Sequence, residues 1–332
     1  MTKHFFFFAL ALLFSGSHTT ATTLSNPVIG GNEPSVVKKN GNLSVRGTRI
    51  VNEHGQDVQL AGMSLFWSQW MGKYYTAETV SWLKNDWKCT VVRAAMGIEH
   101  GGYLQNPEKE KQKVFSVVDA AIEQGLYVIV DWHDHHAEDH VAEAVTFFSE
   151  VAKKYGHHPN IIYEVYNEPL NVSWSDVIKP YCEKVIEAIR KYDPDNIIAC
   201  GSRQWSQRVD EAALDPIKQE NIVYTLHYYA STHKQELRDI AKKAIDLGIP
   251  LFVTEFGVTE ASGDGKIDSE ESKKWWAFLD EHKISWCNWS VADKQENASA
   301  LKPGTATYGW DSAMLNESGK MVKAEISKRG NY

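Results

Sequence analysis

The sequence predicts a single (β/α)8 TIM barrel of the α/β class, preceded by a short N-terminal β-hairpin. Three observations carry that reading. Eight β-rich apolar runs recur, near residues 58–63, 90–95, 126–132, 160–166, 196–200, 221–227, 250–255 and 284–290. Stretches with helical spacing stand between them, and alternation of this kind builds a parallel sheet with helices outside it. Runs such as Tyr127-Val128-Ile129-Val130 and Leu251-Phe252-Val253 are almost wholly apolar, as expected of parallel strands covered on both faces. A doubly wound open sheet is the rival, but the nucleotide-binding glycine signature is missing from the first strand turn.

Taken in order, residues 1–21 have the layout of a secretory signal peptide. Lys3 and His4 precede an apolar run from Phe5 to Phe14, and the small or polar residues Ser15, Ser17, Thr19 and Ala21 follow. That run is too short for the roughly 20 residues a membrane-spanning helix needs. Cleavage is expected near Ala21, giving a secreted, extracellular protein without a membrane anchor. Residues 22–35 are rich in turn formers and read as a short lead. Residues 43–51 and 58–62, joined across Asn52-Glu53-His54-Gly55-Gln56, predict the hairpin, placed to cover one end of the larger core. Helices are expected over residues 77–87, 108–123, 138–155, 175–192, 234–247 and 270–282. In the third of these, Val141, Ala144, Phe148 and Val151 recur at intervals of three and four. No hinge rich in Pro or Ser and no short repeat divides the rest, so residues 36–332 form one domain.

Composition narrows the function. The chain has 332 residues, 43% hydrophobic and 23% charged, with 35 basic against 43 acidic side chains and a net charge of −8. Without a long basic run, nucleic acid is excluded as a partner. A monomer is expected. Twelve Trp and 14 Tyr are the unusual feature; most belong in the core, and the remainder suit a surface that stacks flat ligands. Cys89, Cys182, Cys200 and Cys287 are an even set in an oxidising compartment, with three pairings open if all are bridged. No Cys-x-x-Cys spacing suggests a structural zinc site. Asn42, Asn171, Asn297 and Asn316 lie in glycosylation sequons that count only in a eukaryotic secretory pathway, and Asn288, also in one, falls in a buried strand.

In a barrel of this kind the strand ends feed the loops that build the active site. Polar residues collect there: Arg93 in the second strand, Asp131, Trp132 and His133 ending the third, Asn167 and Glu168 the fourth, His227 and Tyr229 the sixth, Glu255 the seventh and Trp289 the eighth. Two carboxylates among His, Tyr, Arg and Trp point to hydrolysis of a sugar. Cleaving a glycoside takes one carboxylic acid to protonate the departing oxygen and a second carboxylate to attack or to activate water. Glu168 and Glu255 are the natural pair, and fourth and seventh strand ends face each other at a span suited to double displacement. Arg93 is expected beside Glu255, holding it charged. The two carboxylates suffice for this chemistry, so neither cofactor nor metal is implied.

The local sequence around both glutamates, Tyr166-Asn167-Glu168-Pro169 and Val253-Thr254-Glu255-Phe256-Gly257, resembles the acid/base and nucleophile motifs of glycoside hydrolase family 5. The similarity extends to Leu60-Ala61-Gly62-Met63-Ser64, Val92-Arg93-Ala94-Ala95, Asp131-Trp132-His133, Leu226-His227-Tyr228-Tyr229 and Trp286-Cys287-Asn288-Trp289-Ser290, and runs over residues 36–332. It looks like the secreted endo-β-1,4-glucanase (cellulase) branch. The resemblance implies that Glu168 is the acid/base and Glu255 the nucleophile, with Asn167 on the sugar 2-hydroxyl. Arg93, His133, His227 and Tyr229 would orient and polarise, and Trp289 would floor the cleavage subsite. Trp70 and Trp205 match positions that stack on flanking glucose units, and Ala261, Lys294 and Glu296 match positions lining the glycone side. The implied substrate is a β-1,4-glucan, with same-fold mannanase, xylanase and mixed-linkage glucanase as alternatives. One departure is Phe66, where many relatives have a His beside the glycone sugars; Trp67 is expected to compensate by stacking.

Two other readings compete for the same residues. Glu164 shares strand parity with Glu168 but precedes the strand end, which predicts an interior ion pair. The run His133-Asp134-His135-His136 resembles the spacing in metal-dependent barrel hydrolases, yet two strand–helix units precede it, and His135 and His136 are expected to line a loop.

Overall fold

The computed structural model describes Met1 and residues 34–329. The leader over residues 1–21, Met1 aside, and all of the 22–35 lead but its last two residues fall outside the described residues. Ser35 caps the first helix, Val36–Asn40, accepting from the Lys38 amide at 3.2 Å.

The barrel is present and closed. Its strands are β3 (Ala61–Leu65), β4 (Val91–Gly97), β5 (Tyr127–His133), β6 (Ile161–Glu164), β7 (Ile198–Cys200), β8 (Ile222–Tyr229), β9 (Leu251–Gly257) and β10 (Trp286–Val291). They run β10-β3-β4-β5-β6-β7-β8-β9, every neighbour parallel. Helices Ala77–Asn85, Pro107–Gln124, Val141–Tyr155, Lys179–Arg190, Gln235–Asp246 and Ser269–Glu281 match the six expected ones. Helix Glu317–Arg329, after the last strand, carries too weak an apolar pattern to be read from sequence, since its fully buried hydrophobics are Val322 and Ile326. Among the described residues, no helix is long and apolar enough to cross a membrane.

The hairpin exists with different arms. It pairs β1 (Ser44–Arg46) with β2 (Arg49–Val51), so both arms lie inside the stretch expected to be one strand. Gly47, at φ +61, makes the tight turn between them. The predicted turn at 52–56 also forms, because the Asn52 side chain accepts from the amides of His54 and Gln56 at 3.0 and 2.9 Å. Only the bridge Val51↔Asp57 follows it, and residues 58–60 lead directly into β3. Leu43, Ile50, Val58 and Leu60 pack against the inward residues Val91, Tyr127, Ile129, Ile162, Val223 and Phe252, so the hairpin closes the N-terminal mouth as expected.

Two irregularities in strand register shape the C-terminal mouth. Between Thr225↔Phe252 and His227↔Glu255, β8 advances two residues while β9 advances three, and the β9–β10 pairing shifts at the same place. This bulge lets consecutive residues Thr254 and Glu255 both face the barrel axis. A second register shift lies between Trp289 and Val291 in β10, where the Trp289–Ser290 peptide is cis. The cysteines are four unpaired, buried thiols rather than bridges; each fills core space as a small apolar side chain.

Candidate active site

Arg93, projecting inward from β4, is fully buried and organises the C-terminal mouth. Its Nε donates to Glu164 Oε2 at 2.7 Å, Nη1 to Glu255 Oε2 at 2.9 Å, and Nη2 to Asn167 Oδ1 at 2.7 Å, with Asp131 Oδ2 2.9 Å away. A buried cation bonded to three carboxylates is stable only as a complete set, since removing any partner leaves a charge without solvation. Glu164 therefore takes the interior ion-pair role expected of it. Burial works against its anion, but Arg93 and His227 outweigh that and hold its carboxyl below the usual range.

Glu255 sits on the β9 bulge. Its Oε1 accepts from the Tyr229 hydroxyl at 2.8 Å. The expected Arg93 contact is present, yet burial outweighs it: with the charge of Glu168 adding to burial, the Glu255 carboxyl lies above its ordinary value against the pull of His227, Arg93 and Tyr229. Burial and the two glutamates also push the Tyr229 phenol well up, keeping it a donor.

Glu168 stands on the loop after β6, which ends at Glu164, earlier than expected. The loop stays tied to β5 through Asn167 N to Trp132 O at 3.2 Å and Glu168 N to Asp134 O at 3.3 Å. Glu168 Oε1 meets His227 Nδ1 at 2.9 Å, while His227 Nε2 meets Thr254 Oγ1 at 2.9 Å. Burial opposes the imidazolium, but Glu164, Glu168 and Glu255 raise the ring to about 9. Carboxylate oxygens of Glu168 and Glu255 come within 4.8 Å of one another.

His133 is held by Asp131, Nδ1 to Oδ2 at 2.7 Å, and burial and then Arg93 push its pKa well down, so it is neutral. Its ring stacks on Trp289 at 5.0 Å and 3°. The His-Asp-His-His run disperses: Asp134 accepts from the His136 amide and pairs with His140, and His135 lies against the Glu168 carbonyl. Asn167 Nδ2, beside Glu168 in sequence, is buried without a hydrogen-bond partner among the described residues.

Glu168, His227, Tyr229 and Glu255 line a cleft of about 620 Å³ with Trp205, Ala261, His135, Gln204, Gln207 and His233. The last three were missed in the sequence, since they lie in loops without periodicity. Trp205 and Trp70 are exposed rims. Trp70 stands 5.1 Å from Trp67, which meets His133 edge-on at 4.1 Å, so Trp67 joins the aromatic floor. Phe66 packs 5.1 Å from Trp289, leaving that spot apolar. Lys294 and Glu296 pair with each other, and Lys294 lies over Phe66 at 5.6 Å; neither lines the cleft itself.

Gln204, Trp205 and Ser206 all take left-handed backbone, φ +58, +55 and +55. The amides of Gln204 and Trp205 donate to the carbonyls of Leu170 and Pro169 at 3.0 and 2.8 Å, and Ser206 Oγ donates to Asn167 O at 2.8 Å. These bonds offset the strain and fix Trp205 to the loop that carries Glu168.

The fold and site thus define a (β/α)8 barrel with two glutamates facing each other across an aromatic-lined cleft. The family model Cellulase (glycosyl hydrolase family 5) matches residues 51–295, and the chain belongs to this family. It is 53% identical over 289 residues to Endoglucanase Z of Dickeya dadantii, covering 86% of this chain and 66% of that protein. The chain therefore spans just under two thirds of that relative. A solved structure from Cytophaga hutchinsonii superposes with TM-score 0.89 at 58% identity, covering 90% of this chain and 98% of the other. The catalytic domain of a Thermobifida fusca endoglucanase in complex with cellotetraose gives TM-score 0.85 at 34% identity, covering 89% of this chain and 100% of the other.

Proposed function

We propose that this chain is a secreted, monomeric endo-β-1,4-glucanase that cleaves internal bonds of cellulose and related β-glucans with retention of configuration. The observation that carries the mechanism is the approach of Glu168 and Glu255 to within 4.8 Å, close to the spacing of about 5–5.5 Å for a carboxylate that attacks the anomeric carbon directly. An inverting site would need a wider gap to admit water. Glu168, touching the cleft and bonded to His227, protonates the glycosidic oxygen as Glu255 attacks. The resulting glycosyl-enzyme is then hydrolysed by water that Glu168 deprotonates. Asn167 Nδ2, without a partner among the described residues, bonds the sugar 2-hydroxyl in this reading, and Trp289, stacked on His133, floors the subsite of the cleaved bond.

The choice of a β-1,4-glucan is supported by the family and by the relative's complex with cellotetraose. Exposed Trp70 and Trp205 offer flat faces for sugars beyond the cleaved bond, which suits binding within a chain rather than at its end. Export is supported by the charged, apolar and small-residue order of residues 1–21. Proton NMR of carboxymethylcellulose hydrolysis tests the mechanism: β-anomeric ends should appear first, and α-ends appearing first overturn it. Parallel assays on mannan and xylan should give far lower rates, and a preference for either would replace glucan as the substrate.

A further inference from the structure

Thr254 takes no part in the proton transfer or the attack assigned to the two glutamates, yet its hydroxyl stands at the centre of the buried network. Thr254 Oγ1 donates to Glu164 Oε1 at 2.6 Å. Glu164 is anionic and already accepts from Arg93 Nε and Nη2, so it has no proton to offer in return. A hydroxyl carries one hydrogen. With that hydrogen committed to Glu164, Thr254 can only accept from His227 Nε2, 2.9 Å away.

We propose that Thr254 is a positioning residue that fixes the protonation of His227: it keeps a proton on Nε2 and leaves Nδ1 as the ring atom that gains or loses one against Glu168. The consequence falls on the acid. When Nδ1 is protonated it donates to Glu168 Oε1, so the transferable proton of Glu168 must sit on Oε2, the oxygen that His227 does not occupy. When Nδ1 loses its proton, with Nε2–H still held by Thr254, the bare nitrogen draws the Glu168 proton onto Oε1 and away from the substrate. The groups facing the ring are Glu164 on β6, Glu168 on the loop beyond it, Glu255 and Thr254 on β9, and His133 on β5. The bulge in β9 makes the arrangement possible, since a regular strand would turn either Thr254 or Glu255 outward.

This inference rests on Glu168 as the general acid, and the experiment separates the two. Thr254→Val and Thr254→Ser are compared with wild type on phenyl and dinitrophenyl cellobiosides, whose leaving groups do and do not need protonation. For T254V, kcat/KM on the phenyl substrate should fall about tenfold and its alkaline limb move to lower pH, with less than about twofold change on the dinitrophenyl substrate. T254S should restore both. Histidine-selective ¹⁵N NMR of wild type above the ring's titration should find Nε2 protonated, and T254V should shift the proton toward Nδ1. Equal losses on both substrates, an unmoved alkaline limb, or Nε2–H retained in T254V would each overturn the role of Thr254. An E168Q variant that loses both substrates equally would instead remove the acid assignment beneath it.

Discussion

Two layers of the barrel interior lie two residues apart on the same strands and have opposite chemistry. Val91, Ile129, Ile162 and Phe252 face inward below; Arg93, Asp131, Glu164 and Thr254 face inward above them. Both layers are sealed from water to the same degree, at 0–1% exposure. The lower layer is held by apolar area and close packing against the hairpin. The upper layer is held only by the completeness of its bonds. One end of the barrel can therefore be altered at a cost in stability alone, whereas the other cannot be altered without touching the reaction.

The sharpest separation is expected at Glu255, the proposed nucleophile. Glu255→Gln should lower turnover of carboxymethylcellulose by about four orders of magnitude, while its thermal midpoint stays near that of wild type, because Gln keeps an oxygen for Arg93, whose charge Asp131 and Glu164 still balance, and removes an anion that burial and Glu168 disfavour. Arg93→Met, by contrast, strands three buried carboxylates, and urea denaturation should report a loss of about 3–5 kcal/mol together with loss of activity. In the lower layer Ile162→Ala should cost about 2–4 kcal/mol with kcat/KM within twofold. A large activity loss there would break the division between the layers.

The upper layer should also respond to pH. His227, raised to about 9 in the fold, titrates near 6.5 when unfolded. Its contribution to stability is thus complete below about 6.5 and disappears as pH rises through 9. Stability of wild type relative to His227→Asn, followed by thermal melts across that interval, should shrink to its minimum above pH 9. The smallest effect is expected at Ser206→Ala, which frees the Asn167 carbonyl: about 1 kcal/mol of stability and a few-fold rise in KM on cellotetraose, with kcat held.

Most of the barrel was legible because parallel strands covered on both faces leave apolar runs, and Glu168 and Glu255 were legible because each follows or ends such a run. The remainder was hidden for physical reasons. Strict alternation from Phe252 turns Glu255 outward, and only the bulge, set by pairing with β8 and β10, brings it in. The hairpin closes at Gly47, inside the stretch read as one strand; the turn at 52–56 forms as well, with its own left-handed Gly55, but only the bridge Val51↔Asp57 follows it before the chain enters β3. Gln204, Gln207 and His233 reach the cleft from irregular loops that no period describes. An even cysteine count suggested bridges, but each thiol is instead spent on packing.

The left-handed run at 204–206 ties Trp205 to the backbone that carries Glu168. The indole and the Glu168 carboxylate thus share one hydrogen-bonded stretch of backbone, so a substitution that loosens the turn at 204–206 is expected to shift the two together rather than one against the other.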